Sequence, residues 1–261
     1  MKLADFNHFT QTLTTNLSNH PHVLGLVAAG SMANQACQPD KWSDHDFFVI
    51  VSPGTQPEFK TDLSWLPQAD EIVLAFEETT HGMKVLYSFG HLLEFAIFEP
   101  NELQQARINR YAVLIDNGDF SALFAKLERE TAVSLHTNPP SDHSLYGQFL
   151  ANLFVGVGRH ARGEHISGRI FVNTYALGHL LKLLVRHYPA NNKNLLDNLD
   201  PYRRFERVYP EMGHQLNKAL NQPTPQATLS ILSLSKIWLS EKISHFPIEA
   251  IVTLKTYIKQ K

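Results

Sequence analysis

The sequence predicts an α+β protein in two parts: a mixed β-sheet flanked by helices over residues 1–140, then an all-α helical bundle over residues 141–261. Three observations carry that division. Short apolar runs of strand length crowd the first part, the break at Asn138-Pro139-Pro140 interrupts helical spacing, and long patterns of period 3.6 fill the rest. With 261 residues and 43% apolar content, the chain can supply one large core or two of ordinary size.

Taken in order, residues 3–18 have the spacing of an amphipathic helix, and apolar runs at 23–29 and 46–51 read as strands. SPGTQP reads as a loop because Pro and Gly punctuate it. EIVLAF, MKVLYSF and LLEFAIF follow as strands, with His81-Gly82 and Gly90-His91 supplying the turns between them. YAVLID is a last short strand before Asn117-Gly118, and FSALFAKLERETAVSL has helical spacing up to the proline break. Beyond it, helices are predicted over 142–162, 165–188, shorter pieces around 201–220, 225–245 and a final stretch to the end. The chain has no internal repeat and no low-complexity tract.

The densest chemistry lies between Gly25 and Val51, GLVAAGSMANQACQPDKWSDHDFFVIV. An apolar strand breaks at Gly30-Ser31, a polar loop follows, and Asp44-His45-Asp46 opens a second apolar strand. Side chains two apart on a strand share a face, so Asp44 and Asp46 point together while His45 points away. Two carboxylates held close are costly unless neutralised, and an oxygen-seeking divalent cation such as Mg²⁺ is the natural partner. Gly30 lets the backbone approach a phosphate, while the Ser31 hydroxyl and, if a helix begins there, the N–H groups that follow offer donors to its oxygens. The set suits a metal-bound triphosphate. As plain structure, Asp44 and Asp46 would be the acidic opening of a solvated edge strand; Gly30-Ser31 at matching distance and the apolar FFVIV favour the functional reading.

A Gly-Ser pair, a loop of about a dozen residues and Asp-x-Asp entering a strand resemble the signature of the polymerase-beta-like nucleotidyltransferase superfamily, whose motifs would occupy roughly residues 25–120. The resemblance implies a third carboxylate on a later strand. LLEFAIF supplies Glu94 in an apolar run; alone, Glu94 reads equally as the solvent-face residue of a half-buried strand. LEFAIFEPNELQQA, YAVLIDNGD and ARGEH at 161–165 look like the antibiotic adenylyltransferases that modify aminoglycosides or lincosamides. The resemblance implies a nucleotidyltransferase catalytic domain over 1–140 and a helical acceptor-binding domain over 141–261. The implied reaction moves a nucleoside monophosphate, AMP from ATP or the equivalent from another NTP, to a hydroxyl of a small acceptor, antibiotics among them. It further implies Mg²⁺ as cofactor, with Asp44, Asp46 and Glu94 as catalytic and metal-binding residues and Gly30 and Ser31 against the nucleotide. Glu94 is left with two roles, metal ligand or general base.

Composition narrows the setting. The first twenty residues carry no continuous apolar core of a signal peptide, and no later apolar run approaches the length of a bilayer span, so a soluble, cytoplasmic protein without a membrane partner is expected. Cys37 is the single cysteine, which excludes an intrachain disulfide or a multi-cysteine zinc site and reads as a passive loop thiol. Residues 1–141 hold 8 Lys/Arg against 17 Asp/Glu, and residues 142–261 hold 15 against 8. An acidic catalytic half fits a metal site. A basic second half is unlike a surface that grips a polycationic aminoglycoside, and fits a neutral or anionic acceptor, a protein or a nucleic acid end. The oligomeric state is not legible.

The alternative function is a nucleotidyltransferase-like interaction module, or a toxin-antitoxin component with a HEPN-like helical domain. Arg159 and His165 match the loose R-x(4-6)-H spacing of HEPN ribonucleases, but 14 histidines satisfy it easily by chance and Gly163 would break the helix the motif needs. Lys182, Arg186, Arg203, Arg204 and Arg207 fit either phosphate contacts or solvated helix faces. Arg162 and Glu164 fit either a helix end at the site or surface charge. His20 and His22 have a metal-grip spacing but no third ligand nearby, and Trp42 reads as a cover for apolar surface or a base-stacking platform.

Overall fold

The computed structural model describes residues 2–35, 38–136 and 139–259, so Cys37 lies outside the described residues. The chain divides into two compact units, Met1–Thr137 and Asn138–Lys261.

The first unit is built on a six-stranded mixed sheet. Helix α1 (Leu3–Ser18) leads into β1 (Val23–Ala29) and β2 (His45–Val51); a short helix α2 (Gln56–Thr61) precedes β3 (Ile72–Glu77), β4 (Gly82–Tyr87), β5 (Leu92–Phe98) and β6 (Tyr111–Asp116), and α3 (Phe120–His136) closes the unit. The strand order is β3-β4-β5-β2-β1-β6, with β2 and β5 parallel and the other neighbours antiparallel. Two expectations need correction. Strand β2 begins at His45, one residue earlier than predicted, and α2 occupies part of the stretch read as a Pro/Gly loop. Pro57 sits in the first turn of α2, where its missing N–H costs nothing, and burial of Phe59 holds that turn against the sheet.

Strand alternation divides the unit into two cores. On one face Phe47, Val49, Val51, Val85, Leu93, Phe95 and Ile97 pack with Phe6, Phe9, Leu13 and Leu17 of α1, which recur at helical spacing. Each of these side chains contributes on the order of 1.5–3 kcal/mol by leaving water. On the other face Val27, Ile50 and Phe98 meet Phe120, Phe124 and Leu127 of α3.

The second unit contains α4 (Asp142–Ala161), α5 (His165–Ile170), a π-helical turn at Phe171–Ala176, α6 (Leu177–His187), α7 (Phe205–Val208), α8 (Pro210–Leu220), α9 (Thr224–Leu239) and α10 (Ile248–Lys259). Ser141 caps α4 by accepting from the Ser144 N–H at 3.1 Å. The stretch 165–188, read as one helix, is helical throughout but carries the π turn. The helix read over 225–245 ends at Leu239, and buried Ile243 turns back into the core after it. No helix among the described residues is long and apolar enough to cross a membrane.

Two polar side chains, His45 and His91, are buried together beneath α1. His45 is 0% exposed and stacks on Phe6 with ring centroids 3.7 Å apart. Its Nε2 lies 2.9 Å from Thr10 Oγ1 and its Nδ1 2.7 Å from His91 Nε2. The Thr10 hydroxyl donates to the Phe6 carbonyl at 3.1 Å, so it accepts from His45 Nε2–H, and His45 Nδ1 in turn accepts from His91 Nε2–H. Burial is the main cause that holds His45 neutral, with its pKa lowered to about 3, and His91 likewise, to about 4.

The unfolded chain takes up protons at the ordinary value of 6.5 while the folded one refuses them. Stability is therefore complete above that value and falls as acid is added towards the two folded values. The slope reaches up to about 1.4 kcal/mol per pH unit for each histidine. Urea midpoints should drop between about pH 6.5 and 5, with a shallower slope in His91→Gln. An unchanged slope in that variant would show that this pair does not govern the acid response.

Candidate functional site

The site is assembled by the end of β1, the start of β2 and the middle of β5. Strand β1 stops at Gly30, whose φ is +54°, a conformation open to glycine and costly for other residues. A Cβ built there would lie 2.7 Å from Asp46 Oδ2, so the carboxylate rests directly on the glycine backbone. The chain then turns at Ser31–Asn34, with the Asn34 N–H donating to the Ser31 carbonyl at 3.1 Å. This is a turn and not a helix start, so the condition set for helix N–H donors is not met; Asn34 itself sits at φ +50°, which no helix continues through. Ser31 is 7% exposed, and its Oγ has no hydrogen-bond partner among the described residues. A buried hydroxyl without a partner costs about 1–3 kcal/mol, which marks the position as one that a ligand oxygen would satisfy.

Pairing registers place the charged groups side by side. Ala29 is opposite Asp46, Asp46 opposite Glu94, Glu94 opposite Lys84, and Lys84 opposite Phe76, forming one row across β1, β2, β5, β4 and β3. The row continues the α3 face of the sheet, beside the apolar cluster containing Phe48 and Ala96. Asp46 and Glu94 therefore share a face on adjacent parallel strands. Asp44 precedes β2 by one residue and lies two positions before Asp46; its charge reaches His91, where it opposes the effect of burial. Among the described residues no three His, Cys, Asp or Glu side chains gather closely enough to hold a metal ion, so Asp44, Asp46 and Glu94 do not close as one shell.

Glu94 is occupied by a residue that motif reading passed over. Lys84 Nζ lies 3.1 Å from Glu94 Oε1 and 2.9 Å from Glu78 Oε1. The hydrogen bonds to Glu78 and Glu94 hold the ammonium above the ordinary lysine range. A lysine inside the apolar run MKVLYSF was the available signal, but which carboxylate it meets depends on strand pairing.

Elsewhere the candidates disperse. Trp42 is 82% exposed with Lys41 Nζ 4.8 Å from its ring centroid, so it covers no core. The His22 N–H donates to His20 Nδ1 at 3.3 Å within a turn. Helix α4 ends at Ala161 and Gly163 takes φ +84°, which separates Arg159 from His165 by a helix break. Arg159 bonds to Ser167 Oγ and stacks 4.4 Å from the Phe171 ring centroid, while His165 Nδ1 contacts His160 Nδ1 at 3.1 Å. The Arg162 Nε–H donates to Glu164 at 2.8 Å. Arg203 and Arg204 pair with Asp197 at 3.6 and 3.7 Å, and Arg186 and His187 with Asp142.

No protein-family profile and no curated protein matches the chain. Among solved structures, it is similar to an aminoglycoside 6-adenyltransferase from Bacillus subtilis at 12% identity, covering 96% of each chain with a TM-score of 0.39. A STING-associated CdnE c-di-GMP synthase from Capnocytophaga granulosa matches at 14% identity over 97% of this chain and 78% of that one, with a TM-score of 0.29. The CdnC:HORMA-deltaN complex from E. coli MS115-1 matches at 14% identity over 99% and 90%, with a TM-score of 0.31. The functional reading rests on the geometry of the site.

Proposed function

We propose that the chain is a Mg²⁺-dependent nucleotidyltransferase that moves a nucleoside monophosphate, AMP from ATP, to a hydroxyl of a small acceptor. The observation that carries this reading is the Asp46–Glu94 pair set against the Gly30 turn and the unsatisfied Ser31 hydroxyl. The donors are all oxygen, the set a hard divalent cation prefers. Mg²⁺ is commonly held by one or two carboxylates together with substrate phosphates, so a closed shell of three protein ligands is not required beforehand.

Asp46 and Asp44 would hold the cation, and Gly30, without a side chain, lets the Asp46 carboxylate lie against the backbone where β1 ends. The Ser31 Oγ–H would donate to a phosphate oxygen, ending its isolation. Bound Mg²⁺ supplies charge neutralisation of the triphosphate and of the pyrophosphate that leaves. The acceptor oxygen bonds to the α-phosphorus as the bond to pyrophosphate breaks. Glu94, beside Asp46 in register, either receives the acceptor's proton or adds an oxygen to the cation. The helical residues 141–261 are the proposed acceptor-binding part, and their excess of basic residues favours a neutral or anionic acceptor over a polycation.

Calorimetric titration with each NTP, with and without Mg²⁺, tests the nucleotide site. One NTP should bind in a Mg²⁺-dependent manner, and Asp46→Asn should weaken that binding at least about tenfold and abolish pyrophosphate release without unfolding the protein. Normal turnover in Asp44→Asn or Asp46→Asn would sink the reading. Ser31→Ala should move two quantities in opposite directions. Losing an unsatisfied buried hydroxyl should leave the nucleotide-free protein as stable, or up to about 1 kcal/mol more so, while NTP affinity falls several-fold. Equal affinity in that variant would remove Ser31 from the phosphate site.

A further inference from the structure

We propose that Lys84 is the resident counter-ion of the carboxylate row: its ammonium holds Glu94 while no divalent cation is bound, and gives Glu94 up when one arrives. The inference rests on the metal-dependent reading above, with Glu94 in its role as a ligand of the cation, and assigns a positioning role to a residue outside the motif.

Asp46 and Glu94 are register partners on adjacent parallel strands, where strands run about 4.8 Å apart and like charges side by side repel. Lys84 is Glu94's register partner on the opposite side, so the row carries two carboxylates with one cation at its end. A dication shared by Asp46 and Glu94 would stand within a few ångströms of that ammonium and repel it. The two cations therefore compete for Glu94.

The structure supplies the ammonium with another place to go. Glu78, on the turn after β3, accepts from Lys84 Nζ at 2.9 Å, slightly shorter than the 3.1 Å bond to Glu94. Lys84 can thus release Glu94 and stay paired. A lysine suits this exchange because its compact charge rides on a four-carbon flexible stem, and its side chain here is 25% exposed, with room to move. The expected consequence is a metal site kept closed, with Glu94 neutralised, until a cation strong enough to displace an ammonium enters.

Mn²⁺ binding to the full chain, followed by the loss of its free paramagnetic signal and without nucleotide, tests the proposal independently of turnover. Lys84→Gln should tighten Mn²⁺ binding on the order of tenfold, because the competitor is gone, and Lys84→Arg, which keeps the charge, should stay within about twofold of the parent. In a Glu94→Gln background the same Lys84→Gln change should alter Mn²⁺ affinity by less than about twofold, since nothing remains to exchange. This neutral pair also provides a folded reference should Lys84→Gln alone leave Glu94 too poorly paired to fold. Unchanged or weaker Mn²⁺ binding in Lys84→Gln overturns the exchange, as does equal tightening with and without Glu94. Failure of the parent to show any Asp46-dependent Mn²⁺ binding overturns both this inference and the metal-dependent reading; Asp46-dependent binding indifferent to Lys84 overturns the inference alone.

Discussion

The facing of strand β2 is the constraint on which the site depends. His45 and Phe47 are buried against α1, so Asp46 and Phe48 must face the other way, and every geometric relation of the site follows from that parity. The anchor at His45 is specific as well as apolar: it is hydrogen-bonded to Thr10 and His91 and stacked on Phe6. A slip of one residue would expose the imidazole and bury Asp46 in the α1 core, so the register is held from both sides. The same parallel pairing that aligns Phe47 with Phe95, rings stacked 5.0 Å apart with their planes 7° from parallel, aligns Asp46 with Glu94.

Around that strand the structure tolerates several local costs in one place. Gly30 is held at positive φ against a carboxylate, Ser31 buries an unsatisfied hydroxyl, and two carboxylates lie on neighbouring strands. Each of these is a local departure from what a stable domain prefers, and the three lie within one stretch of the sheet. Lys84 offsets part of that charge through its contacts with Glu78 and Glu94.

The second unit spends many of its charges on holding its own ends together. Arg186 and His187, in the last turn of α6, pair with Asp142 in the first turn of α4, and Arg203 and Arg204 converge on Asp197. Helices α4 and α5 meet at Gly156 and Gly168, where an added Cβ on Gly168 would come within 2.8 Å of the Gly156 carbonyl oxygen. That close approach, together with the turn at Gly163, fixes where Arg159 points: onto Phe171 and Ser167.

Much of the fold was legible in the amino-acid sequence because local patterns encode it. Short apolar runs bounded by turn residues located the six strands, and helical spacing located α1, α3 and α4 almost to the residue. The candidate carboxylates and Gly30-Ser31 were legible because charge and glycine are conspicuous in apolar runs. What failed was short or cooperative. Helix α2 hid in a proline-bearing loop, and the π turn was indistinguishable from α-helix by period. The sequence by itself determined that Asp44, Asp46 and Glu94 lie at strand openings and in strand interiors. Only the tertiary structure decided that Asp46 meets Glu94, that Glu94 meets Lys84, and that the Ser31 hydroxyl has no partner among the described residues. The physical reason is that side-chain parity is a property of one strand, whereas register between strands distant in the chain is set by packing over the whole sheet.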